Sequence, residues 1–391
     1  MKVNAVLVEV VVRDSQGRAV GDLKREDFQV FDQNNLQEIS GFSIQKRAVA
    51  ESGPAPVETR PGNLGGSVQP EPWRKPERFL VFLFDDFHLD AAELLRAQSS
   101  ATKMLAQSLA PTEIGAVVSF SGTNSGLTRD QATLQGTIQK LSVHGIHRHI
   151  GHTCPDIDFY QADLIVNKNN DQALSAGVRD ELSCAHLDPQ RDSYIAERMV
   201  RSAAAQSLSI GEADARATLA TIRELVRRMA ALPGQRTLIL ISPGFLTITQ
   251  EGMIEKSQIL DLAAQSNVTI NALDARGLYT TGITASQLGT SSARDLQTGA
   301  SSQYHSETMN LSEDVMAELA DGTGGTYFHN DNDLDSGLKT LTHAPEYVYL
   351  LEFSLEKVKL DGRYHPLKVK VEKNGLKVQA RRGYFAPGKQ P

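Results

Sequence analysis

The chain has 391 residues, 40% of them hydrophobic and 22% charged, which exceeds one ordinary domain and excludes a disordered or fibrous protein. Its net charge of −7 argues against nucleic acid as a main partner. No apolar run approaches the ~20 residues that span a bilayer, and no signal peptide opens the sequence.

The first 45 residues read as all-β. "AVLVEVVVRD" is a strand, "DSQGR" a turn carrying a glycine, "EDFQVFD" a second strand and "QEISGFSIQ" a third. Met1 and Lys2 stand directly on the first strand, so a leader trimmed from the chain is the expectation. From Ala48 to Lys75 the sequence is rich in Pro, Gly and Ser and poor in apolar residues, the composition of a linker or a long surface excursion.

Then the period changes. "FLVFLF" at 79–84 is a buried strand, and Leu94, Leu95, Met104, Leu105 and Leu109 follow in helical rhythm. "IGAVVSFS" is a strand, and "DQATLQGTIQKL" puts Leu134, Ile138 and Leu141 on one helical face. "ADARATLATIRELVRRMAAL" is a long helix, "TLILIS" a buried strand, "IEKSQILDLAAQS" a helix and "VTINALD" another strand. "LSEDVMAELADGTGG" is a helix stopped by Gly322, Gly324 and Gly325, before the short strand "TYFHN" and a closing helix in "LDSGLKTL". Apolar strands alternating with helices imply a parallel sheet covered on both faces, here over 78–343.

A polar segment at about 143–205 interrupts that alternation and reads as an insertion with some helix of its own. It carries His144, His147, His149 and His152, for which a polar surface loop is the plainer explanation than a zinc or copper site. It also carries the only two cysteines, Cys154 and Cys184. An isolated pair suits one disulfide in an oxidising compartment, worth about 3 to 4 kcal/mol on a chain-entropy model. Two buried thiols that never meet are the alternative.

After residue 343 the chain returns to β, with "EYVYLLEFSL", "PLKVKVEK" and "LKVQARRGYF", and Asn374-Gly375 signals a hairpin. The two β ends, 1–46 and 344–388, are each a poor core alone. They are expected to pair into one β-sandwich-like domain, from which the α/β domain projects beyond the linker at 47–77. Lys368, Lys370, Lys373, Lys377, Arg381 and Arg382 alternate along the last strands as edge-protecting cations, without the aromatics of a nucleic-acid platform.

"DDFHLD" crowds Asp85, Asp86, His88 and Asp90 just past the 79–84 strand. In extended form residues 86, 88 and 90 would share a face. The plain alternative has Asp90 capping the next helix and Asp86 bonding the strand end. In "LDARGLY", Asp274 and Arg276 read as an ion pair steadying a loop. No nucleophile elbow, HExxH, Walker loop or dinucleotide fingerprint is present.

"DSQGRAVGDLKREDFQVFD", "RTLILISPGF", "NVTINALDARGL", the cysteine-flanked "CPDIDFYQAD…LSC" and the terminal "ARRGYFAP" together resemble the secreted von Willebrand factor type A domain proteins abundant in acidobacteria. The resemblance spans nearly the whole chain apart from the linker. It implies a Rossmann-like sheet whose strand order reverses between its first and fourth strands, with a divalent cation at that reversal holding an acidic group of a protein partner. The family's ligands are Asp-x-Ser-x-Ser, a Thr, and the Asp of Thr-Asp-Gly. Asp85 matches the first Asp and Thr128 the Thr. Phe87 and Leu89 replace the two serines, and Ser242-Pro243-Gly244 replaces Thr-Asp-Gly. Two of five ligands survive.

The resemblance therefore implies an extracytoplasmic protein-binding or adhesion module, not an enzyme, with a degenerate cation site. Its binding surface comprises Asp85, Asp86, His88, Asp90, Thr128 and Ser242, and its partner is an unspecified protein. Were a metal bound, Asp85, Asp86 and Thr128 would hold magnesium, manganese or calcium in preference to zinc. The rival readings are a metal-dependent hydrolase using Asp85, Asp86, His88 and Asp90, and a structural part of a cell-surface assembly.

Overall fold

The computed structural model describes residues 5–15, 18–46, 78–106, 109–110, 112–145, 154–278, 300–343, 347–354 and 364–385. The linker at 47–77 and His147, His149 and His152 lie outside the described residues.

Strands β1 (Ala5–Arg13), β2 (Phe28–Asp32), β3 (Asn35–Gln37) and β4 (Ile39–Lys46) come first in the chain. β3 is an addition to the sequence reading: Gln33 and Asn34 both adopt positive φ, which closes a two-residue hairpin after β2. The parallel part begins with β5 (Arg78–Phe84), α1 (Ala91–Ala106), β6 (Glu113–Ser119) and α2 (Gln131–Gln139). Then come α3 (Phe159–Val166), α4 (Asp171–Cys184) and α5 (Ser193–Ala230), followed by β7 (Gln235–Ser242), α6 (Gln250–Gln265) and β8 (Val268–Asp274). Helix α7 (Ala300–Gly322), β9 (Tyr327–Phe328) and α8 (Leu334–Thr342) complete it. The chain ends in β10 (Tyr347–Ser354), β11 (Tyr364–Val371), β12 (Lys377–Ala380) and β13 (Gly383–Phe385).

The five parallel strands run in the order β6-β5-β7-β8-β9. Every residue of β5 is buried, as a strand covered on both faces requires. Alternation divides its side chains between two cores. Val81 and Leu83 pack with Leu219, Ile222 and Val226 of α5 and with residues of α6 and α7. Leu80, Phe82 and Phe84 pack with Leu94, Ala97 and Leu105 of α1, and with α2 and α8. This is a Rossmann-like α/β layer. The order reverses between β5 and β7, the first and third parallel strands, rather than between the first and fourth as expected. The difference lies after β6, where the returning chain makes only isolated antiparallel bridges, Val118 with Asn124 and Gly115 with Thr128.

The remaining strands form two antiparallel sheets, β12-β1-β10-β4 and β13-β11-β2-β3. Chain ends interleave in both: β1 lies between β10 and β12, and β2 pairs with β11. One apolar cluster joins Val8, Val10, Tyr349 and Phe353 of the first sheet to Phe28, Val30, Leu367 and Tyr384 of the second. The Asn374-Gly375 turn does not close a hairpin. It carries the chain from β11 in one sheet to β12 in the other, with Gly375 at φ 78°.

Helix α5 is longer than the sequence suggested. Its 38 residues extend ~57 Å at 1.5 Å per residue, against a seven-residue β5. Ala196, Val200, Ala204 and Leu208, each four apart, continue the buried stripe through the segment read as insertion. This N-terminal half packs with Ile157, Ala162, Ile165 and Ala173 of the insertion. Cys154 and Cys184 are joined in a disulfide with their Cα atoms 5.9 Å apart. Thr308 of α7 donates to Asp158, the N-cap of α3, at 2.8 Å. Among the described residues no helix is long and apolar enough to cross a membrane.

Candidate functional site

Asp85 and Asp86 follow β5 directly, and the alternation that divided its apolar side chains divides them too. The Asp85 amide continues the ladder to β7 by donating to the Ile241 carbonyl at 2.9 Å. Its side chain lies on the α5 side, with Leu83. Asp86 lies on the other, beside the chain that follows α2, where its carbonyl accepts from the His144 amide at 2.7 Å. The strand then turns, closed by the Leu89 amide on the Asp85 carbonyl at 3.1 Å. Residues 86, 88 and 90 therefore do not share an extended face.

Around Asp85 the geometry is closed. Oδ1 accepts from the His88 amide at 3.0 Å and from His88 Nδ1 at 2.8 Å. Oδ2 accepts from Ser242 Oγ at 2.5 Å and lies 2.9 Å from the same Nδ1. A carboxylate offers about four acceptor positions, and three protein donors converge on this one, with Nδ1 within reach of both oxygens. Ser242 is itself oriented, because its Oγ accepts from the Gly244 amide at 2.9 Å and so directs its proton to Asp85. His88 Nε2 lies 2.6 Å from Oδ2 of Asp214, on α5. The ring stacks near Phe245, at 6.2 Å between centroids. Burial works against its charge, but the negative charge of Asp85 and hydrogen bonds to Asp214 and Asp85 outweigh it, pushing His88 up to about 10.

Asp86 is equally buried and has its own partners. Oδ1 accepts from the Ser121 amide at 3.0 Å, and Oδ2 accepts from Ser121 Oγ and pairs with His144 Nδ1 at 3.2 Å. Asp90 does something else again. Its Oδ1 accepts from the Glu93 amide at 2.7 Å while Glu93 Oε2 accepts from the Asp90 amide at 2.8 Å. That reciprocal pair is a capping box at the start of α1, so Asp90 leaves the proposed surface. Thr128 leaves it too. It exchanges backbone hydrogen bonds with Gly115, which lies level with Leu80 rather than with the strand end, and its Oγ1 accepts from the Asp130 amide. The reversing chain after β6 carries it back along the sheet edge.

The divalent cation implied by the family resemblance does not fit these residues. Asp85 is fully buried and already bonded by three protein donors, Asp86 lies across the sheet from it, and Thr128 is several residues away along β6. Among the described residues no group of three or more His, Cys, Asp or Glu side chains is arranged to hold a metal ion. The hydrolase constellation of Asp85, Asp86, His88 and Asp90 fails for the same reason: its four members point to three places.

At the next strand end, Arg276 meets Asp274 at 2.7 Å and Glu313 of α7 at 3.4 Å, the loop-steadying ion pair read from the sequence. Asp214 and Ser121 are the members that the sequence reading missed. Asp214 did carry a signal, since it stands four residues before Thr218 and eight before Ile222, on the buried stripe of α5. A carboxylate on an apolar stripe asks for a cation. Ser121 carried none.

Fold and site define an α/β protein with a doubly wound parallel sheet and a polar cluster at the carboxyl ends of β5, β6 and β7, where such sheets place their ligands. No family model matches the chain, and no curated protein matches it. Among solved structures it is similar to proximal thread matrix protein 1 of the mussel byssus, in crystal form 2, at 12% identity over 70% of this chain, with a TM-score of 0.29. The match spans 47% of the mussel chain, about half its length. A second structure of that protein gives 15% identity over 60% of this chain and 47% of that one, with a TM-score of 0.24. The N-terminal domain of TFIIH p34 gives 12% identity over 68% of this chain and 96% of that one, with a TM-score of 0.23.

Proposed function

We propose that this is an extracytoplasmic protein-binding module of the von Willebrand factor type A kind, presenting the carboxyl ends of β5, β6 and β7 to a protein partner without a metal bridge. The observation that carries the reading is the placement of the cluster. Asp85, Ser242 and His88 meet at the strand reversal, and Asp214 ties them to the helix that bears the insertion. The disulfide supports an oxidising compartment. In this reading the two antiparallel sheets are a β-sandwich carrying the binding layer, and the stapled insertion overhangs the binding surface.

Binding rather than catalysis is favoured by where the hydroxyls point. Ser242 and Ser121 both donate to carboxylates. Neither meets an imidazole nitrogen that would activate it as a nucleophile.

Site-specific photo-crosslinking tests the reading. A crosslinking residue at His144, which is exposed beside Asp86, should capture a discrete protein from the protein's native surroundings, and one at Lys377 on β12 should not. The same products from both positions, or none from His144, would overturn it.

A further inference from the structure

We infer that the His88 imidazolium is a resident cation, occupying the place between Asp85 and Asp214 that a divalent metal would otherwise be needed to fill. The inference stands on local geometry, whether or not the strand ends meet a protein partner.

Ionised carboxylates only accept hydrogen bonds, and a neutral imidazole has one nitrogen that only accepts. Here both ring nitrogens face carboxylates, Nδ1 at 2.8 Å from Asp85 and Nε2 at 2.6 Å from Asp214. A neutral ring would set a lone pair against a lone pair at one of these contacts. A doubly protonated ring satisfies both. The enclosure of the carboxylates favours that charge. The Asp85 side chain is fully buried, and Asp214 and His88 are about one-fifth exposed. Two ionised carboxylates this enclosed are stabilised by a positive charge between them.

The supporting residues fix the ring. The His88 amide binds the same carboxylate as its side chain, setting backbone and ring together. Phe245 lies along one face at an interplanar angle of 25°. Ser242 takes the acceptor position on Asp85 Oδ2 that the ring leaves over. In a cation site a serine hydroxyl and a carboxylate would both direct lone pairs at the metal. Here the hydroxyl instead directs its proton at the carboxylate, the opposite polarity.

The consequence is that removing the ring should create the metal site that the intact chain lacks. In His88→Ala the carboxylates of Asp85 and Asp214 and the Ser242 hydroxyl would converge on the vacated space. Oxygen ligands of that kind, completed by water, suit calcium, magnesium or manganese.

Calorimetry with magnesium, manganese, calcium and zinc tests this on the full chain, alongside thermal unfolding of wild type, His88→Ala and the double variant His88→Ala with Asp214→Ala. Wild type should bind none of these ions stoichiometrically at millimolar concentration, and a chelator should leave its unfolding midpoint unchanged. His88→Ala should unfold at lower temperature and regain several degrees with a divalent cation or with imidazole. The double variant, which loses the excess negative charge, should fold and should lose that rescue. Stoichiometric binding by wild type that disappears in Asp85→Ala would overturn the inference. So would a folded His88→Ala protein indifferent to both cations and imidazole. If His88→Ala does not fold under any condition, the wild-type titration and the protonation state of its ring decide alone.

Discussion

The two ends of the parallel sheet handle charge differently, although the amino end also holds a buried ion pair between Arg78 and Glu113 at 3.2 Å. At the carboxyl end, buried and partly buried carboxylates gather around protein cations, Asp85 and Asp214 around His88, and Asp274 and Glu313 around Arg276. At the amino end, guanidiniums gather around the closing carbonyls of helices. Arg236 donates to Ala230 and Ser266, at the ends of α5 and α6, and Arg78 donates to Thr342 at the end of α8. Arg381, just past β12, reaches Ala264 of α6 and the Leu7 carbonyl of β1. Helix C-termini carry partial negative charge, so arginine is the natural cap there.

The difference lies in what surrounds each end. The amino end faces the antiparallel sheet containing β1 and β12, and a cavity of about 130 Å³ between them is lined by Glu9, Arg236, Gln379 and Arg381. Burial raises Glu9, against the opposing pull of Arg381 and Arg236. Charge at this end fastens layers together. The carboxyl end leaves His88 partly exposed and His144 about half exposed. Similar chemistry there stays beside solvent, which is why the candidate surface lies at that end.

The sharpest way to break the contrast is His88→Ala, which leaves the buried Asp85 carboxyl without its imidazole partner. A loss of ~3–5 kcal/mol is expected at neutral pH, read from denaturant unfolding. A loss below about 1 kcal/mol would place the bridge among ordinary surface pairs. The same interaction should be visible as pH changes. His88 is raised from about 6.5 to about 10, so its stabilisation is complete below its unfolded value and lost as pH rises through its folded one. The gap in stability between wild type and His88→Gln should therefore shrink by a few kcal/mol between those limits. An unchanging gap would assign the loss to packing.

At the amino end, Arg381→Met should cost ~1–3 kcal/mol, because it strips donors from partly buried carbonyls. That cost should show no comparable decline with rising pH, since arginine stays charged. Separate unfolding of the two β layers in calorimetry would mark Arg381 as the fastening between them. The smallest effect belongs to Thr128→Val. With only a local bond to Asp130 lost, a change within ~0.5 kcal/mol is expected, and the spectrum of the His88 ring should not move.

What the sequence made legible was local. "FLVFLF" is apolar on both faces because it is covered on both faces, and Asp90, just ahead of the next helix, stands where a cap belongs. The pairing of Asp274 with Arg276 also spans two positions. The errors share a cause, which is distance along the chain. Asp214 meets His88 across 126 residues, and only its position on a buried stripe hinted at a partner. Asn374-Gly375 has the composition of a hairpin turn, but β1 and β2 draw its two flanking strands into different sheets. Thr128 aligned with a family ligand, yet the chain reverses after the end of β6 and carries it back along the sheet edge to the level of Gly115. The length of α5 was hidden because the buried stripe of its outer half, Ala196, Val200, Ala204 and Leu208, alternates alanine with larger residues instead of showing a run of large apolar side chains.

The nitrogen-15 spectrum of the His88 ring, in protein labelled at histidine and assigned with His88→Gln, goes most directly to the nature of the site. It should be recorded at about pH 8, where an unperturbed imidazole is mostly neutral. Both ring nitrogens should carry protons at that pH, as a cation between two carboxylates must. A ring with one bare nitrogen would contradict the resident cation and return the site to a metal or a ligand still to be found.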